Sequence, residues 1–167
     1  MRKRKDENKR SQIGLIINGP NILLRRFDIS LEEILHVLKD IGRIVIGKVV
    51  LNHEVSSKLV ETVINNGLEP VIVNGRVDVA VAIESMKVIY NPLIDILALG
   101  VRDAHFMPLL FEAKRVGKEV IVVAPADKVS NALQNTADRI IGLPLFKPMS
   151  KVSMILDRKP KLYNLFP

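Results

Sequence analysis

Apolar runs and helical stripes alternate along this chain. IGLIIN, from Ile13 to Asn18, is apolar on both faces of an extended segment, as expected of a strand buried in a parallel sheet. Ser30 is placed to cap the next helix, with Glu33 three residues on to complete a capping box. Leu31, Ile34, Leu35 and Leu38 then share one face of a helix ending near Ile41. A second strand covers Ile44 to Leu51, and a helix from Val55 to Asn66 stops at Gly67. EPVIVN, IDILAL, EVIVVA and RIIGL predict four further strands. Between them lie helices at Asp78 to Tyr90, Phe106 to Val116 (closed by Gly117) and Val129 to Ala137. Strand, helix, strand repeated five times predicts an α/β fold, a single three-layer αβα domain with a mainly parallel central sheet.

Composition narrows the picture. With 167 residues and 48% apolar content, the chain can bury a good core and is most simply one domain, placed at residues 13–146. Cysteine is absent, which excludes disulfides, thiolate metal sites and a cysteine nucleophile. No apolar run approaches the roughly 20 residues that span a bilayer, and no signal-like segment follows the basic N-terminus; the expectation is a cytoplasmic protein without a membrane partner. The net charge of +7 is uneven. Residues 1–10 carry six Lys/Arg against two acids, and residues 147–167 carry five against Asp157. The positive charge therefore sits in two extensions, 1–12 and 147–167, around a near-neutral domain. Basic arms suit sequence-independent contact with a polyanion such as RNA, or simply a solvated tail. Aromatic side chains are too scarce for a base-stacking platform.

Candidate chemistry concentrates at predicted strand ends. Asn18 closes the first strand, Asp78 opens a helix after Gly75, Asp95 begins the fourth strand, and Asp103 lies just beyond it. In an open α/β sheet the carboxyl edge is where strands deliver functional side chains. Carboxylates gathered there would hold Mg²⁺ or Mn²⁺, which take oxygen ligands and activate water for attack on a phosphodiester. Each residue also has a plainer account: Asp78 favours a helix N-terminus, and Asp103 and Asn18 suit turns. His36 reads as a packed or surface histidine, and His53 as a loop residue. There is no G-x-G-x-x-G, phosphate loop or G-x-S-x-G elbow.

The order IINGPNI, VDVAVAIES and DILALGVRDAHFMPLLFEAKRVGKEVIVV resembles the NYN domain, a PIN-like nuclease superfamily that includes the LabA-like proteins, and more closely its archaeal branch. The similarity runs from about Ile13 to Leu143. It implies a metal-dependent ribonuclease-like fold that acts on RNA with Mg²⁺ or Mn²⁺. Carried onto this chain, the metal set is Asp78, Asp103, Asn18 and Asp95, and the catalytic set Asp78, Asp103 and His105. Asn21, Arg102 and Ser130 would position RNA, and Glu84 is an additional acid. Two positions depart from the family pattern. Asn18 stands where the first Asp is usual, and His105 where the second Asp of D-x-D-F would be. Imidazole suits Mn²⁺, Zn²⁺ or Ni²⁺ better than Mg²⁺. The alternative is an inactive NYN-fold module that binds RNA or a protein, and homodimerisation is open. NGPN also resembles the opening of type II dehydroquinases, but no Tyr precedes Tyr90 and the later signature is missing.

Overall fold

The computed structural model describes residues 9–145. Six strands, β1 (Gln12–Asn18), β2 (Arg43–Asn52), β3 (Glu69–Val73), β4 (Ile96–Gly100), β5 (Glu119–Pro125) and β6 (Arg139–Leu143), form one sheet in the order β3-β2-β1-β4-β5-β6. Every neighbouring pair is parallel. The helices are α1 (Gly19–Ile22), α2 (Leu31–Ile41), α3 (Ser57–Asn65), α4 (Val77–Ile89), α5 (Met107–Arg115) and α6 (Asn131–Thr136). Two short 3-10 turns, Arg25–Phe27 and Ala104–Phe106, complete the described elements. The predicted α/β class and parallel sheet hold.

The chain winds outward from β1 to β3, crosses back through α4 to β4, and winds outward again to β6. Right-handed crossovers then place α4, α5 and α6 on one face, where α4 packs on α5 and α5 on α6, with α2 and α3 on the other. Both faces of the central strands are covered, so Ile13, Leu15, Ile16 and Ile17 of β1 and Leu97 and Leu99 of β4 are fully buried. Each such aliphatic side chain contributes about 1.5–3 kcal/mol relative to exposure.

Helix starts are set by hydroxyl caps. Ser30 accepts from the Glu33 N–H at 3.1 Å, but the Glu33 carboxylate does not close the expected box: its Oε1 accepts from Leu145 N–H at 2.6 Å. Ser56 and Ser130 accept from Leu59 and Leu133 N–H, so α3 and α6 begin two residues later than the apolar periodicity predicts. The expected C-terminal extension, 147–167, lies outside the described residues, as do residues 1–8 of the expected N-terminal extension 1–12. The end of the latter is part of the fold, since Gln12 opens β1 and the Ser11 carbonyl accepts from Arg43 N–H at 2.8 Å.

Candidate functional site at the carboxyl edge of the sheet

The strand order reverses between β1 and β4. Their carboxyl ends therefore bound a crevice, because the connections leaving them run to opposite faces. Asn18 ends β1, and Val101 to Asp103 follow β4. Gly19 lets the first loop turn tightly over β2: a Cβ there would lie 2.8 Å from the Val50 carbonyl oxygen. Two hydrogen bonds then join the loops. Asn21 Nδ2 donates to Asp103 Oδ2 at 2.9 Å, and Arg102 Nε donates to the Asn21 carbonyl at 3.2 Å. Asn21 thus fixes one oxygen of Asp103 and leaves its Oδ1 without a hydrogen bond among the described residues. Arg102 does not pair with its neighbour Asp103; its guanidinium lies 5.4 Å from the Phe27 ring centroid.

Asp78 reaches the edge from a third strand connection. Gly75, at a φ of +139°, turns the chain from β3 into α4, a backbone geometry that side chains disfavour. Asp78 sits in the first turn of α4, where the helix dipole favours an anion. Arg76 grips it through Nε at 3.2 Å and Nη2 at 2.9 Å. That guanidinium, with backbone N–H groups of the helix start, holds the Asp78 carboxyl below its ordinary pKa. His105 Nε2 lies 3.9 Å from Asp78 Oδ2, too far for a hydrogen bond but close enough for a charge contact. The His105 ring is exposed and leans on Phe106, with centroids 4.3 Å apart.

Asn18 is 3% exposed, and among the described residues its Oδ1 is a buried acceptor without a partner. Such an atom normally costs stability unless something outside the chain satisfies it. Among the sequence candidates, then, Asn18, Asn21, Arg102 and Asp103 converge at the β1–β4 crevice, and Asp78 and His105 meet beside each other.

Three candidates do not join them. Asp95 precedes β4 and so lies at the opposite, amino edge, where its Oδ2 accepts from the Gln12 N–H at 2.8 Å. It pins the start of β1 and is corrected out of the metal set. Glu84 is held at 2.8 Å by both Lys48 and Lys87. Burial pushes its pKa up, but the two lysine bonds outweigh that and leave it below the ordinary value. It is a structural ion pair locking α4 to β2. The Ser130 hydroxyl is spent capping α6, although its N–H bonds the Arg102 carbonyl at 3.0 Å and braces the loop. His53 lies exposed in the turn after β2, and His36 exposed on α2. Sequence reading missed Arg26 and Phe27, whose signal was a basic doublet one short turn after the β1 loop.

The residues at the edge do not by themselves make a metal cage. Among the described residues no three of His, Asp and Glu are grouped to hold an ion. The donors on offer are two carboxylates, one of them held by an arginine, an amide oxygen and an imidazole.

The NYN domain family matches residues 12–144. This chain belongs to the NYN domain family. It is 48% identical over 142 residues to an uncharacterised protein of the archaeon Methanocaldococcus jannaschii, covering 85% of this chain. It spans 58% of that relative's length. A crystal structure of a protein of unknown function from Vibrio parahaemolyticus superposes with a TM-score of 0.72. That likeness covers 84% of this chain and 97% of the other, at 16% identity, and shows the fold. The NYN fold is of PIN-like nuclease type; such domains generally act on RNA, and such nucleases generally use divalent metals. No helix among the described residues is long and apolar enough to cross a membrane.

Proposed function

We propose that this NYN domain binds single-stranded RNA across the β1–β4 crevice. The reading rests on one observation: at the switch point of the sheet, Asn21 ties Asp103 to Arg102. This sets an anionic oxygen and a guanidinium with no carboxylate partner side by side. A phosphodiester is drawn by Arg102 and kept off Asp103 by charge, which places its backbone along the crevice. Replacing two family aspartates by Asn18 and His105 lowers the negative charge facing that backbone and favours binding. The basic residues of the two terminal segments would add sequence-independent affinity.

A second reading, phosphodiester cleavage with Mg²⁺ or Mn²⁺, is favoured by the unpartnered Asn18 Oδ1. Mg²⁺ is commonly held by one or two carboxylates together with substrate phosphates. Asp78 and Asp103 with Asn18 would be the protein's share of such a set.

The test is incubation of labelled single-stranded RNA with wild type and Asp103→Ala, in Mg²⁺, Mn²⁺ or EDTA, following binding and cutting together. RNA retained without cutting, equally with and without EDTA, supports the binding module. Metal-dependent cutting that D103A abolishes establishes the nuclease. No retention and no cutting at low salt would refute both.

A further inference from the structure

We infer that Arg26 and Arg102, both laid against the ring of Phe27, form a phosphate clamp beside Asp103. This deepens the reading of the crevice as an RNA surface and rests on it. Phe27 ends the 3-10 turn after the β1 loop and is 6% exposed, so its ring is a fixed plate in the wall of the domain. The guanidinium carbon of Arg26 lies 4.9 Å from the ring centroid and that of Arg102 lies 5.4 Å from it. The two guanidinium carbons are therefore no more than about 10 Å apart, a reach that suits two successive phosphates of one strand.

Such a pair repels itself unless a counter-ion engages it, and among the described residues neither guanidinium is in an ion pair. Among the described residues, the lysines and arginines in ion pairs are Lys48, Lys87, Arg76, Lys114, Arg115 and Arg139. Arg25, Arg26 and Arg102 are in none of them. The Nε of Arg102 is anchored on the Asn21 carbonyl, and its terminal nitrogens make no hydrogen bond among the described residues. Stacking on the ring restricts where each guanidinium can point, so little freedom remains to be lost when an anion is bound. A planar, forked donor suits phosphate oxygens, and its face can also stack on an unpaired base. The chain Arg102–Asn21–Asp103 sets the clamp directly next to the acidic end of the crevice. One strand of RNA would then be gripped on one side of Asp103 and carried past it.

The experiment measures affinity of the full chain for a labelled single-stranded oligoribonucleotide across a salt series. Wild type is compared with R26A and with R139A, which breaks an ion pair to Glu119 at the opposite edge. R26A is expected to bind about 10-fold more weakly, and its salt dependence to lose about 0.7 in log–log slope, the share of one phosphate contact on a single strand. R139A should change neither quantity. Arg26 is exposed, so its removal should leave the unfolding midpoint in place. If wild type binds and R26A keeps both affinity and slope, the clamp is refuted while the RNA reading stands. Failure of wild type to bind at low salt overturns both.

Discussion

At the amino edge of the sheet, Asp95 accepts the Gln12 N–H and Asp138 the Val120 N–H, each at 2.8 Å, while Arg139 pairs with Glu119 at the same distance. Lys118 adds bonds to the carbonyls of Asn91 and Ile94. Every one of these polar groups fastens one strand start to its neighbour. The carboxyl edge of the same strands is built differently. Among the described residues Asn18 Oδ1 has no partner, Arg26 and Arg102 are in no ion pair, and one oxygen of Asp103 makes no hydrogen bond. Acids at strand ends thus divide by which end they occupy. Asp95 and Asp138, before a strand, stabilise the sheet, whereas Asp103, after one, keeps an oxygen for something else.

The comparison can be broken from either side. The largest effect is expected from N18D, which places an unpaired carboxylate at a position 3% exposed. It should lose about 3 kcal/mol at neutral pH, and Mn²⁺ should restore part of that loss if this corner accepts a cation. Urea unfolding with and without Mn²⁺ decides it; no recovery would take Asn18 out of any metal set. D138A should cost about 2 kcal/mol by losing a charge-assisted bond to a half-buried N–H, with RNA affinity unchanged. A D138A protein that stays stable yet binds RNA poorly would erase the division between edges. S130A should cost about 1 kcal/mol as a lost cap, and any larger fall in RNA affinity would return Ser130 to the functional set. The smallest effect concerns Asp78. Its carboxyl is held below the ordinary value by Arg76, so the stabilisation is present above the usual carboxylate range. It is lost as pH falls through the lowered value. Acid titration of R76A should lack that part of the acid transition, and an identical profile would show that the pair contributes nothing.

The sheet was legible because burial on both faces leaves no alternative to apolar runs such as IGLIIN and EVIVVA, and because Gly67 and Gly117 mark helix ends at positive φ. The start of α3 was misjudged because Val55 fits the apolar stripe, whereas the chain caps at Ser56. Asp95 was assigned to the wrong edge although its position before β4 carries the answer: in an all-parallel sheet, a residue preceding a strand lies away from the carboxyl crevice. The four-residue helix Gly19–Ile22 and the turn at Arg25–Phe27 escaped notice because they are too short for periodicity. The pairing of Asn21 with Asp103 bridges 82 residues, beyond the reach of any local pattern.

That long bridge also governs timing. Asn21 and Phe27 precede their partners Arg102 and Asp103 in the chain by three strands and the α4 crossover, and Arg26 lies with them. A growing chain therefore carries Arg26 long before it holds a crevice. The two loops meet only when β4 has slotted in beside β1. The crevice is thus set by the middle of the sheet, before β5 and β6 are added at its edge.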